Sequence, residues 1–349
     1  MLSAAQRCAR SAAPRHVGAS RGSSRLPVVR VRAASDDAFA NFTPTVAAFF
    51  PGQGAQTVGM AKELCEGVPA AKALFDKASE ILGYDLLQVC VEGPKEKLDT
   101  TAVSQPAIYV ASLAAVEKLR ATEGQAAIDA IDVAAGLSLG EYTALAFAGA
   151  IKFEDGLRLV KLRGESMQAA ADAVKSGMVS VVGLSSDKVA ELCAAATADV
   201  GADKPVKIAN FLCPGNYAVS GSIEGCDVVV ARGKEFKARM TVRLSVAGAF
   251  HTEYMSPAVA ALKEALAATE ISVPRIPVVS NVDARPHSDP DVIRDILSRQ
   301  VTSPVLWENT MTDLFEKGLS KSYEIGPNKV IAGIVKRIKK EHEITNISA

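Results

Sequence analysis

The stretch "IDVAAGLSLGEYTALAFAGA", residues 131–150, decides the fold. A short apolar run, Ile131 to Ala135, ends in Gly136-Leu137-Ser138-Leu139-Gly140 and passes at once into an alanine-rich segment. The first part reads as a buried strand and the second as a helix. Gly-x-Ser-x-Gly between a strand and a helix is the pattern of a nucleophile elbow. The chain turns so tightly there that glycines must flank the serine, whose hydroxyl projects from the carboxyl edge of the sheet. The next backbone N–H, that of Leu139, lies in the first helical turn, where the helix does not use it, so it is free to face an oxyanion. The same residues also spell an ordinary helix cap, with Ser138 and Glu141 three positions on forming a capping box. The pattern alone leaves both readings open.

Working outward, "TVAAFF" (residues 45–50) is a second buried strand, broken by "PGQG". Helical stretches follow near residues 57–82 and over residues 104–120, the latter with Pro106 in its first turn. "PVVSN" (277–281) and "KSYEIG" (321–326) supply further strands. Strands alternating with helices imply an α/β fold with a parallel sheet covered on both faces. Residues 177–245 differ. They read strand, capped helix, strand, strand, helix, strand, the β-α-β-β-α-β order of a ferredoxin-like unit. The expected organisation is an α/β-hydrolase-like large subdomain (36–176 and 246–349) with a ferredoxin-like small subdomain (177–245) inserted into it.

Residues 1–35 hold seven arginines, no Asp or Glu, and many Ala and Ser. That composition predicts an organelle transit peptide rather than a basic nucleic-acid-binding tail. Without it the chain keeps all 39 acidic residues but loses seven of its 39 basic ones, leaving a mildly acidic body ill suited to nucleic acid. No apolar run reaches the roughly 18 residues of a membrane span. The six cysteines (8, 65, 90, 193, 213 and 226) form no CxxC pair, which argues for a reducing compartment and against a metal site.

A serine nucleophile needs a base. The four histidines are 16, 251, 287 and 342. His16 lies in the leader, His342 in the charged run "KRIKKEHE" that reads as solvated, and His287 in a turn-rich loop. His251 follows "SVAGAF" at a strand end beside small residues, and elimination favours it, the alternative being a histidine hydrogen-bonded in the core. About a hundred residues follow His251, which departs from the usual α/β-hydrolase order. The "FFPGQGAQ" turn (49–56) fails the dinucleotide fingerprint at Thr57 and lacks the Gly-Lys of a phosphate loop. It either brings Gln53 into a cleft or is a plain tight loop. Arg163, in "LRLVKLRGE", reads on residues alone as part of a solvated helix face.

Several motifs together resemble those of one family, the malonyl-CoA:acyl-carrier-protein transacylases of type II fatty acid synthesis, in particular their plastid type. "FPGQGAQ", "GLSLGEY", "LVKLRG", Phe250-His251, "SNVD" (280–283), "RQVTSPVLW" (299–307) and "EIGPNKV" (324–330) occur in the family's order, and the resemblance covers the chain after residue 44. It implies that Ser138 attacks the thioester of malonyl-CoA with His251 as base, and that Gln53 and the Leu139 N–H line the oxyanion hole. It further implies that Arg163 pairs with the malonyl carboxylate and that the main chain of Gln300 orients His251. "GAF" before His251 resembles the malonyl-selective acyltransferases of polyketide synthesis, with Phe250 narrowing the pocket. Leu137 stands where the family often has His, and Leu212 and Cys213 where it often has Asn and Ser.

The resemblance also implies a ping-pong transfer to the phosphopantetheine thiol of an acyl carrier protein. No metal or redox cofactor is expected, and the chain is expected to act as a monomer in the plastid stroma, with the mitochondrion as the alternative. A serine thioesterase or hydrolase acting on acyl-CoA is the competing activity. An acidic carrier would dock on basic residues, either Lys336, Arg337, Lys339 and Lys340 or Lys234, Lys237 and Arg239, although each set reads at least as well as a plain solvated helix face.

Overall fold

Ten strands form two five-stranded sheets in the computed structural model, which describes residues 38–349. The segment expected to be a transit peptide, residues 1–35, lies outside the described residues. The first sheet has the order β10-β9-β1-β2-β7 and every neighbouring pair is parallel. Its strands are β1 (Val46–Phe50), β2 (Val133–Gly136), β7 (Val278–Val279), β9 (Lys321–Ile325) and β10 (Glu343–Ile347). Side chains alternate along β1, so Ala48 and Phe50 enter one core and Ala47 and Phe49 the other. A strand buried on both faces must be apolar at every position, which is why "VAAFF" shows no polar alternation.

The helix Thr101–Glu123 fills the larger core and is buried almost all round. It begins earlier than expected, so Pro106 is its sixth residue rather than in its first turn. Its first N–H, on Thr101, donates to the side chain of Gln168, 3.0 Å away on another helix. Such a long-range cap leaves no local sequence signal. The other core holds Trp307, Met311, Leu314, Ile331 and Ile334, and Phe49 meets Trp307 edge-on at 5.7 Å.

The second sheet has the order β6-β3-β5-β4-β8. Strands β3 (Ser176–Val182), β4 (Val206–Cys213), β5 (Asn216–Ser222) and β6 (Met240–Arg243) pair antiparallel in the ferredoxin-like order. Helices Ser186–Val200 and Ile223–Arg232 cover one face, each capped by a serine side chain. At the far edge, β8 (Val305–Leu306) pairs parallel with β4, so a piece of chain far beyond residue 245 completes this sheet.

The C-terminal run departs from its solvated reading. Lys336, Arg337 and Lys340 are exposed, but His342 is 3% exposed, and the chain after it forms the edge strand β10. The His342 ring shares a hydrogen bond of 2.9 Å with the Ser322 hydroxyl on β9 and packs on Phe315 at 4.8 Å. Burial, together with Lys339 and Lys336, lowers its pKa. Charges on one side and buried positions on the other gave that segment its misleading polarity.

Candidate active site

The carboxyl ends of β1, β2 and β7 converge. Each supplies one part of the site: the Gly52–Gln53 turn, Ser138 and Asn281. The turn after β2 is as tight as the motif requires. A methyl group on Gly136 would sit 2.0 Å from the Gly140 backbone, and one on Gly52 would sit 2.4 Å from the Leu137 carbonyl oxygen. Only hydrogen fits at either place. Ser138 then adopts φ 51° and ψ −101°, a strained conformation for a residue with a side chain. Its N–H donates to Asn281 Oδ1 (2.6 Å) and its carbonyl accepts from Gln300 Nε2 (2.9 Å), so partners from elsewhere hold the strain.

The helix-cap reading fails on this geometry. Ser138 makes no side-chain cap bond to the helix Leu139–Phe147. Its hydroxyl lies 2.8 Å from His251 Nε2 instead. Glu141 does not turn back to the cap but accepts from Asn281 N–H (3.1 Å) and Gln300 Nε2 (2.6 Å). The Leu139 N–H begins the helix and is not used by it.

His251 is 4% exposed and left-handed in backbone (φ 61°), while Ser138 is half-buried. His251 Nδ1 lies 2.9 Å from the main-chain carbonyl of Gln300. A carbonyl only accepts, so Nδ1 carries the proton and Nε2 offers its lone pair to the Ser138 hydroxyl. Burial, and then the neighbouring Arg163 cation, lower the His251 pKa to about 4, which keeps the ring neutral at physiological pH. His287, the other candidate base, sits in a loop 2.8 Å from Asp283 and has no part in the site.

Arg163 does not lie on a solvated face. It is 1% exposed on the helix Phe153–Ala173, which packs along the helix Thr101–Glu123. Nη1 donates to Gln105 Oε1 (2.7 Å), and Nη2 to Ser138 Oγ (3.0 Å) and Gln300 Oε1 (2.9 Å). The guanidinium rests 5.4 Å from the centre of the Tyr142 ring, and its Nε has no partner. No carboxylate forms a salt bridge with it among the described residues, so a buried cation stands at the serine hydroxyl with donor capacity to spare. Gln53 is half-buried beside the elbow and donates to Thr101 Oγ1 (3.3 Å). Phe250 packs with Met167, Met178 and Met255, and its carbonyl accepts from Ser220.

Gln105, Asn281 and Glu141 were given no site role on sequence grounds. Asn281 falls within the "SNVD" motif, and Gln105 stands directly before the apolar run Pro106–Val110 of its helix, which is the signal each offered. Leu137 and Cys213 join the same apolar cluster, with Leu212 against it, so the three departures from the polar pattern lie together. All five described cysteines are free and buried, and no cluster of His, Cys, Asp and Glu suited to a metal occurs among the described residues.

A family model, the acyl transferase domain, matches residues 49–348. The chain belongs to that acyl transferase family. Among curated relatives, the mouse (Mus musculus) mitochondrial malonyl-CoA-acyl carrier protein transacylase is 42% identical over 295 residues, covering 82% of this chain and 77% of the relative. Among solved structures, the malonyl CoA-acyl carrier protein transacylase of Coxiella burnetii superposes with a TM-score of 0.82 at 34% identity, covering 88% of this chain and 95% of the other. A malonyl-transacylase solved in complex with its type II polyketide acyl-carrier protein gives 0.81 at 34% identity, covering 87% and 96%. As an acyltransferase, the chain needs a nucleophile, a base and a site for the acyl group, and the residues around Ser138 offer all three.

Proposed function

We propose that this acyltransferase moves a malonyl group from malonyl-CoA to the phosphopantetheine thiol of an acyl carrier protein, through a malonyl ester on Ser138. The observation that carries the reading is the buried Arg163 guanidinium, unpaired by any carboxylate among the described residues and 3.0 Å from a serine hydroxyl that also meets a neutral imidazole. An acyl chain ending in a carboxylate satisfies that cation, and an acetyl group leaves it unpaired.

In the first half-reaction His251 Nε2 takes the Ser138 proton as Oγ attacks the thioester carbon. The Leu139 N–H and the Gln53 turn face the oxyanion. Collapse breaks the C–S bond, and the coenzyme A thiolate leaves with the proton from His251. In the second half-reaction His251 deprotonates the carrier thiol, which attacks the ester, and Ser138 recovers its proton. The Gln300 carbonyl holds the imidazole by accepting its Nδ1 proton, in the place a triad carboxylate would occupy. Every bond and proton balances without a metal or redox cofactor.

The carrier approaches over one of two exposed basic groups, Lys336, Arg337 and Lys340 beside Lys339, or Lys234, Lys237 and Arg239. Reversing the charge of one set at a time identifies it by a rise in the KM for carrier. The composition of residues 1–35 supports delivery to an organelle; the GLSLG motif resembles plastid-type members, whereas the 42%-identical mouse relative is mitochondrial. Imaging of a fluorescent fusion to those residues separates the two.

The transfer itself is tested with labelled malonyl-CoA, with and without the phosphopantetheinylated carrier. Label should accumulate on the carrier. Release of free malonate at the same rate in its absence would mean a thioesterase instead.

A further inference from the structure

Gln300 touches all three functional groups at once. Its main-chain carbonyl holds His251, its side-chain oxygen accepts from Arg163, and its side-chain nitrogen donates to the Ser138 carbonyl. A glutamine amide works in this way in one orientation only. Flipped, its NH₂ would face the donors of Arg163, and its oxygen would face the Ser138 carbonyl. The second Gln300 Nε2 proton goes to Glu141 Oε2, at 2.6 Å. Glu141 is 3% exposed, and its side chain takes its hydrogen bonds from Gln300 and Asn281 rather than from the Ser138 hydroxyl, His251 or Arg163. The mechanism above does not use it, and its sequence reading as a capping residue is overturned by the geometry.

We propose that Glu141 is a positioning residue that fixes the orientation of the Gln300 amide and thereby aims Arg163 at the acid end of the substrate. The proposal deepens the malonyl-transfer reading and rests on it. Glu141 Oε2 accepts from both the Gln300 amide and the Asn281 N–H, and an acceptor at that place admits one orientation of the facing amide. The three groups form a relay from the Glu141 carboxylate through the Gln300 amide to the Arg163 guanidinium, with each hydrogen bond polarising the next. The same Oε2 accepts the Asn281 N–H, whose side chain holds the Ser138 N–H and the Gly136 carbonyl. One buried carboxylate therefore sets both the specificity arm and the elbow. Its position in the first turn of the helix Leu139–Phe147 favours negative charge there. Burial pushes the Glu141 pKa up to about 7, the hydrogen bonds from Gln300 and Asn281 oppose that rise, Asp283 adds to it, and the Ser280 hydroxyl lowers it.

The test measures kcat/KM for malonyl-CoA and for acetyl-CoA in the wild type, Glu141→Gln, Glu141→Leu, Gln300→Ala and the Glu141→Gln/Gln300→Ala pair. Loss of one buried charge-assisted hydrogen bond predicts that Glu141→Leu lowers the malonyl-to-acetyl ratio by roughly tenfold or more. Glu141→Gln, a weaker acceptor, should lower it by a smaller factor, and that factor should vanish once Gln300 is alanine. A purely structural role would depress both substrates equally. An unchanged ratio in both Glu141 variants, or a Glu141→Gln effect undiminished in the Gln300→Ala background, overturns the proposal. Where Glu141→Leu does not fold, the Glu141→Gln cycle decides alone. If the wild type is never charged by malonyl-CoA, the transfer reading fails; if it is charged and the ratio stays fixed, only the Glu141 proposal fails.

Discussion

Replacing Arg163 by methionine, which keeps the apolar stem and removes the guanidinium, tests the cation and its hydrogen bonds together. In the wild type a malonyl carboxylate would take hydrogen bonds from a guanidinium that is 1% exposed, where water screens little. Two charge-assisted bonds at 1.5–3 kcal/mol each total about 3–6 kcal/mol. At 1.4 kcal/mol per factor of ten, kcat/KM for malonyl-CoA should fall by roughly 10²–10⁴. Acetyl-CoA cannot use the cation and should change by less than about threefold, or improve as the unpaired charge disappears. The variant also strands the Gln105 and Gln300 side-chain oxygens, which costs stability, about 1–3 kcal/mol for each buried acceptor. Thermal unfolding must therefore be followed alongside. Thiol release from each coenzyme A ester gives both rate constants on the same preparation, so the ratio is insensitive to a loss of folded protein. An equal fall for the two esters would refute the role given to Arg163.

Three further outcomes follow from the same geometry. Because the base must be neutral and burial with Arg163 lowers His251 to about 4, kcat/KM for Ser138 acylation should be lost only as pH falls through about 4, well below the 6.5 of a free imidazole. In Arg163→Met that acid limb should move up, and a limb near 6.5 in the wild type would contradict the environment described. Gly136→Ala places a methyl group 2.0 Å from the Gly140 backbone, so it should cost more than about 2 kcal/mol of stability and nearly all acylation, read by unfolding and by adduct formation. Phe250→Ala should admit methylmalonyl-CoA, raising its kcat/KM relative to malonyl-CoA in a competition assay; an unchanged ratio would free Phe250 of any role in acyl selection.

Much of this was legible in the sequence because the signals were scarce or strictly local. Four histidines left few choices for the base, and the strand-turn-helix around Ser138 carries the flanking glycines that so tight a turn requires. The β-α-β-β-α-β order of the second sheet could be read because each element carries its own period and both helices carry a serine cap. What escaped depends on contacts between distant segments. Arg163 looks solvated until its helix docks on Thr101–Glu123. The strand β8 is two residues long and exists only through β4. His342 is buried because β10 closes the parallel sheet beside β9, although its charged neighbours point the other way. Glu141 satisfies the capping pattern perfectly well in sequence, yet the pull of Gln300 and Asn281 from 159 and 140 residues away takes its side chain elsewhere.

The most direct trial of the central claim is a chase on the acylated protein. Incubated with malonyl-CoA and freed of excess ester, the protein should carry one malonyl group by intact mass, located on Ser138 and missing from Ser138→Ala. Addition of the phosphopantetheinylated carrier should then strip that group and deliver it to the carrier thiol faster than water removes it. A malonyl group that forms elsewhere, or that leaves Ser138 at one rate whether or not the carrier is present, would contradict the account.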